Sequence, residues 1–340
     1  MKKSVTYFGN KTSGFSGTTA TMETLEPLLG EFCQIRSFSH ISNKLVRLLH
    51  MTYGFFRYGV HGDAIIVDVY STSAFYYALW ISSLAKIFGP RELILVLHGG
   101  NLPNLYTFNT KRVTTLFNRA TCIIAPSHYL KNFFEEQGFK LTLIPNIIQL
   151  EQYPFKERSV ARPKILALRG FKLTYNPLMT LRAVRTLLQN GVAVEVLLLG
   201  NEDEEGYQQV MHFISENRME KSVTVMPKQD KSTWIEMSKA YDIMISNPVI
   251  DNTPVSIIEG MALGMCVVTT NVGGVPFICE DGKNAVFIEN NDDEGLADCI
   301  AMLLKDRSLA ATLSTNGRLM AAQYDWAQVK QEWKRILINQ

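Results

Sequence analysis

The chain has no close pair of cysteines. Its five, Cys33, Cys122, Cys266, Cys279 and Cys299, are scattered over 340 residues. That spacing excludes a paired redox or metal-ligand motif, gives a disulfide or catalytic role no support, and suits buried small hydrophobes in a reducing compartment. An excess of one charge is also missing: 34 basic residues face 32 acidic ones, a net of +2. A general nucleic-acid binder would show a strong basic excess. The longest apolar run, around Ala74 to Leu84, is interrupted by Ser82 and Ser83 and ends at Lys86. It is too short to span a bilayer. The opening Met1-Lys2-Lys3 is followed by only a short apolar stretch before Asn10 and Lys11. It reads as a first strand and not as a signal peptide. Low-complexity tracts, short repeats and an aspartate pair at metal-ligand spacing are absent as well. A cytoplasmic protein with no metal ion and no cofactor is expected.

What is there alternates. In the first half, strands are predicted at Val5–Phe8, Ile65–Val69, Leu93–Leu97, Cys122–Ala125 and Leu141–Ile144. Helical spacing falls between them at Thr21–Leu29, Asn43–Phe56, Phe75–Phe88 and Tyr129–Gln137. Pro145 to Pro163 holds three prolines and several charges without periodicity, which suits an interdomain linker. Strands then resume at Ile165–Leu168, Val194–Leu199, Val223–Val225, Ile243–Ile245, Cys266–Thr269 and Ala285–Ile288. Helices fit at Pro177–Gln189, Gly206–Asn217, Ser232–Lys239, Val255–Leu263 and Glu294–Leu304. Such alternation indicates α/β architecture: two doubly wound, Rossmann-like domains with parallel sheets covered on both faces. Residues 1–152 form the expected first domain and residues 153–322 the second, with 323–340 following it. Ligands in open parallel sheets bind outside the carboxyl ends of the strands. The loops there, facing a central cleft, are where chemistry is expected.

The most informative loop runs from Asn247 through Asp251, Thr253, Pro254, Val255 and Ser256 to Glu259 and Gly264. Thr253 suits an N-cap and Pro254 the first helical position, where a missing N–H costs nothing. The amides of Val255 and Ser256, at the positive end of the helix dipole, would then hold a diphosphate. Asp251 and Glu259 frame the site as acceptors for sugar hydroxyls. Glu259 stands in an otherwise apolar stretch, Val255 to Val268, where a carboxylate needs a partner.

This segment resembles the retaining glycosyltransferases of family four (glycosyl transferases group 1), which have the GT-B fold. The resemblance rests on the Asp251-to-Glu259 acid pair and the small-residue helix through Gly260-Met261-Ala262-Leu263-Gly264. It continues through the strand after Cys266, the turn Gly273-Gly274-Val275-Pro276 and Glu280-Asp281-Gly282. Ala125-Pro126-Ser127, Gly138, Ile144-Pro145-Asn146 and Leu199-Gly200 extend it, and Tyr324-Asp325-Trp326 opens a last helix of the kind that crosses back to the first domain. Residues Gln34 to Asp63 match poorly, as on the acceptor side. The family's first acid is usually Glu and here is Asp251.

The resemblance implies roles. Arg169 corresponds to a phosphate-binding arginine, able to grip a diphosphate bidentately. The usual lysine five or six residues later is replaced by Thr174 and Tyr175, leaving Lys172 as the nearest cation. His98, in His98-Gly99-Gly100-Asn101, matches a cleft histidine that contacts the donor sugar. Gly14 and Gly17 fall in a loop that lies against donor and acceptor; their spacing is not the dinucleotide fingerprint. Pro227 and Lys228 sit where the nucleobase pocket lies. The implied reaction moves a sugar, with retention, from a nucleoside-diphosphate sugar (UDP- or GDP-linked) to a hydroxyl of a saccharide or lipid-linked acceptor, in cell-surface polysaccharide or glycan synthesis. A sugar-nucleotide epimerase or hydrolase of the same fold, and a non-catalytic nucleotide-sugar binder, stay open. No nucleic-acid partner is expected. Finally, Lys44, Arg47 and Arg57 mix with Leu45, Val46, Leu48, Leu49, Phe55 and Phe56. That mixture suits peripheral contact with an anionic membrane and equally a core helix with a charged outer face.

Overall fold

A computed structural model describes residues 2–10, 21–90 and 92–338. The chain divides into two compact units, Met1–Ile147 with Ala327–Gln340, and Ile148–Trp326. Each is built on one parallel six-stranded sheet.

In the first unit the strands are β1 (Lys3–Phe8), β2 (Cys33–Phe38), β3 (Ala64–Val69), β4 (Glu92–Leu97), β5 (Cys122–Ala125) and β6 (Thr142–Leu143). Their order across the sheet is β2-β1-β3-β4-β5-β6. The helices are α1 (Thr21–Leu29), α2 (Lys44–Gly54), α3 (Phe75–Phe88), α4 (Leu102–Phe108), α5 (Thr110–Phe117) and α6 (His128–Glu136). A π-helical turn, Phe55–Gly59, extends α2. β3 and β4 are buried almost throughout, as parallel strands covered on both faces must be. β2 escaped the sequence reading because it is the sheet's edge strand: its central residues, Gln34 to Ser37, lie outside the core, so no apolar run marks it.

The second unit carries β7 (Lys164–Ala167), β8 (Glu195–Leu199), β9 (Val223–Met226), β10 (Ile243–Ser246), β11 (Cys266–Thr270) and β12 (Val286–Ile288), ordered β12-β11-β10-β7-β8-β9. Its helices are α7 (Pro177–Gln189), α8 (Tyr207–Glu216), α9 (Lys231–Ser238), α10 (Val255–Ala262), α11 (Asp293–Lys305) and α12 (Arg307–Ala322). The last helix, α13 (Trp326–Leu337), has all but its first residue in the first unit, where Lys330 pairs with Glu31. Counting from β7, the strand order is that of a dinucleotide-binding sheet, whose chain reverses direction between the first and fourth strands. Here that switch point lies between β7 and β10. In the first unit it lies between β1 and β3.

The expected linker, Pro145 to Pro163, contains the boundary between the units, and from Ile148 on it belongs to the second unit. Tyr153 is fully buried and Arg158 nearly so. The Arg158 guanidinium donates to the carbonyls of Leu263, Lys156 and Tyr241. Arg162 grips Asp242, with Nε at 2.6 Å from one oxygen and Nη2 at 2.9 Å from the other. Irregular backbone is held by side chains here, which leaves no periodicity to read.

Candidate active site

The switch point of the second sheet gathers most of the expected residues. Arg169 stands just beyond β7, and the loop after β10 brings Asp251 to it. Arg169 Nη2 donates to Asp251 Oδ2, and Nη1 lies 3.5 Å from the Ser256 hydroxyl. The guanidinium stacks on Tyr175, 4.2 Å from its ring centroid. So the tyrosine that stands near the missing lysine supplies a π-face for the arginine. The three-residue turn Leu173–Tyr175 that presents it follows Lys172, which is exposed. Arg169 Nε and Ser246 Oγ are buried without partners. Both residues line one cavity of about 20 Å³, together with Gly170, Phe171 and Asn247. Unpaired buried polar atoms are costly, and two on one cavity mark a place made for a polar group.

The helix start differs from expectation by one residue. Thr253 is not the N-cap. Pro254 occupies that position in an extended conformation (φ −71°, ψ 94°), no side chain caps the helix, and α10 begins at Val255. The Pro254 carbonyl accepts from the amides of Ile257 (3.0 Å) and Ile258 (3.5 Å). The amides of Val255 and Ser256, the first two of the helix, therefore have no intrahelical acceptor. The shift keeps the anion-binding character of this end and moves its frame from Thr253 to Pro254.

Gly273 and Gly274 explain how the loop is held so close. The Gly274 amide donates to the Asp251 carbonyl at 2.9 Å. A Cβ on Gly274 would lie 1.5 Å from the Asn252 carbonyl oxygen. On Gly273, whose φ is +55°, it would lie 2.1 Å from that of Asp251. Only glycines allow this approach.

Glu259 has the partners its apolar surroundings demand. Tyr153 Oη donates to it at 2.6 Å, and Lys231 Nζ, 3.4 Å away, also lies over the Tyr153 ring. Burial, then the Glu259 charge, pushes the Tyr153 phenol well above its ordinary value. Neither Tyr153, inside the supposed linker, nor Lys231, at the start of α9, was signalled by spacing.

Lys228 is engaged. Its ammonium pairs with Glu204 and its amide donates to Asn201 Oδ1 at 3.1 Å. Glu204 also accepts from the Phe171 amide at 2.6 Å, so Lys228, beside Pro227, braces the turn that follows Arg169. Within the run Glu202 to Glu205, Glu204 reads as a solvated surface acid, yet its side chain is only 6% exposed.

His98 belongs to the first unit. It is buried at the end of β4, with Nε2 2.8 Å from Asp68 Oδ1 and its ring stacked on Tyr70 at 4.8 Å. Tyr7 (2.8 Å) and Tyr70 (3.4 Å) also donate to Asp68. A carboxylate only accepts, so Nε2 carries the hydrogen and, in the neutral ring, Nδ1 is the acceptor. Burial followed by the Asp68 charge raises the phenols of Tyr7 and Tyr70. Asp68 was legible in principle: a lone carboxylate in the apolar strand Ala64–Val69 needs a reason, as Glu259 does. Gly14 and Gly17 lie outside the described residues.

Comparison with known proteins fits this geometry. The model of the family "Glycosyl transferases group 1" matches residues 151–320. A D-inositol 3-phosphate glycosyltransferase of Nocardia farcinica is 24% identical over 202 residues, 55% of this chain and 45% of that protein. An N-acetyl-alpha-D-glucosaminyl L-malate synthase of Bacillus anthracis is 27% identical over 127 residues, 37% and 32% of the two chains. The matches thus span less than half the length of these curated relatives. Among solved structures, sucrose-phosphate synthase from Thermosynechococcus elongatus superposes with a TM-score of 0.82 at 14% identity, covering 98% of each chain. Anabaena HepE in complex with UDP-glucose gives 0.76 at 15% identity, covering 99% of this chain and 100% of that one. Such identities speak to fold alone, and the fold is GT-B. With its family model running over half its length and through every residue from Arg169 to Glu259, the chain belongs to the glycosyl transferases group 1 family.

Proposed function

We propose that the protein is a retaining glycosyltransferase that moves a sugar from a nucleoside-diphosphate sugar, UDP- or GDP-linked, to a hydroxyl of a saccharide or lipid-linked acceptor in surface polysaccharide or glycan synthesis. The observation that carries this reading is the cluster at the β7/β10 switch point. There, Arg169 with an unpartnered Nε, the Ser256 hydroxyl and the first amides of α10 converge beside Asp251. The curated relatives named above support the reaction class, and the HepE complex shows a protein of this fold with UDP-glucose.

In this reading the donor diphosphate takes over Arg169 from Asp251. The guanidinium, Ser256 and the helix amides then neutralise charge on the departing nucleotide, in the role a metal ion fills elsewhere. Asp251, released, accepts from hydroxyls of the transferred sugar. It lies one methylene closer to the backbone than the family's usual Glu. Glu259, oriented by Tyr153 and Lys231, accepts from the ribose diol. The bond between the sugar's anomeric carbon and the phosphate oxygen breaks while the acceptor oxygen bonds to that carbon on the same face. The acceptor's proton passes to the leaving phosphate.

The test is acceptor-dependent release of nucleoside diphosphate from a panel of sugar nucleotides offered with saccharide and lipid-linked acceptors. Turnover is expected to survive EDTA and to fall about 10²–10³-fold in Arg169→Ala, the loss typical of removing one charge-stabilising donor. Glu259→Ala is expected to raise the donor KM. Normal turnover by both variants sinks the assignment. Conversion of donor without acceptor would identify an epimerase or hydrolase instead.

A further inference from the structure

The two units differ sharply in charge. The first carries 17 basic and 9 acidic residues, a net of +8, so the second carries a net of −6 within the chain's total of +2. The first unit's excess is local. No Asp or Glu occurs between Glu31 and Asp63, or between Asp68 and Glu92. Those two acid-free segments contain α2 with its π-helical turn, and α3.

The same two elements expose large apolar side chains in register. Leu45, Leu49, Tyr53 and Phe56 are spaced by four, four and three residues, which places them in one stripe along a helix. Leu45 is 74% and Leu49 69% exposed. On α3, Tyr76, Trp80 and Ile87 repeat the pattern, with Ile87 69% exposed. The stripes are adjoining. Trp80 Nε1 donates to Thr52 Oγ1 at 3.0 Å, Tyr77 Oη donates to the Lys44 carbonyl at 3.2 Å, and the rings of Phe56 and Phe88 lie 5.8 Å apart. Cations border the patch: Lys44 at one end, Arg57 and Lys86 at the other, all exposed. Arg112 joins it through Tyr76, donating to its hydroxyl at 3.2 Å. Phe55, next to the patch, turns inward and is fully buried. The outer residues are therefore left out of the core while their neighbours fill it. A patch of this kind, apolar and bordered by one sign of charge, marks a binding surface.

We propose that this face of α2 and α3 seats the protein on an anionic lipid bilayer. The apolar stripes enter the headgroup boundary and Lys44, Arg57, Lys86 and Arg112 meet lipid phosphates. A second copy of the chain is a poorer occupant. A two-fold contact brings the same patch to both sides, cations to cations, with no acid in either segment to pair them. Two exposed tyrosines and a tryptophan among the stripes suit an interface that is apolar on one side and wet on the other. The inference stands apart from the transferase reading, since lipid binding needs no turnover.

Sedimentation of the full chain with vesicles tests it. Binding to phosphatidylcholine vesicles containing phosphatidylglycerol is expected to exceed binding to pure phosphatidylcholine at least ~10-fold at low salt. Lys44→Ala and Lys86→Ala should each weaken it about fivefold, the fold-change for one cation near such a surface. Leu45→Ser with Leu49→Ser should abolish it, with the melting temperature unchanged because both side chains are already in water. Equal binding to both vesicle types, no binding to either, or full binding by the double variant overturns the proposal. So does a concentration-dependent dimer in sedimentation velocity that the double variant removes.

Discussion

The two units handle shielded carboxylates differently. In the second unit Asp251 and Asp242 face cations: Arg169 for one, and Arg158, Arg162 and Lys156 for the other. In the first unit Asp68 faces neutral donors, the hydroxyls of Tyr7 and Tyr70, and the ring of His98. An acid paired with a cation at a loop can exchange that partner for a ligand. An acid held by three rings in a core fixes those rings. In the proposed function, the contrast makes Asp251 a group free to meet substrate and Asp68 a group that holds the His98 ring in place.

The strongest way to probe the cation-held class is Asp242, which is almost wholly buried beside the equally buried Arg158. Asp242→Asn leaves that guanidinium without its counter-ion and is expected to cost about 3–5 kcal/mol in denaturant unfolding near neutral pH. The gap should close in acid. Burial alone would raise the Asp242 carboxyl, but the hydrogen bonds and charge of Arg162, with Lys156, bring it below its ordinary value of 3.8. A depressed folded value means stability that is fully present above 3.8 and lost as pH falls through the folded value. A gap that stays constant down to pH 2 would remove Asp242 from this class.

Next in size is Gly274→Ala. Its methyl would overlap the Asn252 carbonyl, so the loop must retreat from Asp251. A loss of roughly 3 kcal/mol, the upper end for overpacking, is expected in thermal unfolding together with weaker donor binding. Wild-type donor affinity in this variant would show that the loop's placement does not matter to the site.

The smallest effect is expected at Asp68. Asp68→Asn sets an amide against three donors and should cost about 1–3 kcal/mol. Turnover should fall roughly 10-fold or more through a displaced His98 ring, since small misplacements are costly at reacting centres. An Asp68→Asn variant that loses stability but keeps full turnover would make the cluster purely structural and erase the contrast.

Much of this was legible beforehand. α1, α3 and α7 begin and end where periodicity placed them, because each pairs a clear apolar face with clear flanking residues. Asp251, Ser256 and Glu259 were proposed from the loop after β10, and Arg169 from its place after β7 and the family resemblance; the structure brings Arg169 to Asp251 and Ser256. β2 was missed because an edge strand shows little apolar alternation, and α12 because its small residues blur the face it buries. The passage between the units, at Ile147 and Ile148, falls inside the expected linker, but the rest of that segment belongs to the second unit because Tyr153, Arg158 and Arg162 fold back on residues about 80 or more positions away.

The sequence by itself determined the alternation of strand and helix, and with it two parallel α/β sheets, since these follow from short-range periodicity, while its motifs carried the resemblance to the family. Tertiary structure alone decided which groups meet. It set Tyr175 beneath Arg169, gave Glu259 its tyrosine and lysine, moved the helix cap from Thr253 to Pro254 and placed Asp68 behind His98. It also aligned two apolar stripes from separate helices into one face. Such pairings depend on strand order and on how close backbones can approach, and neither is written in the residues that flank a position along the chain.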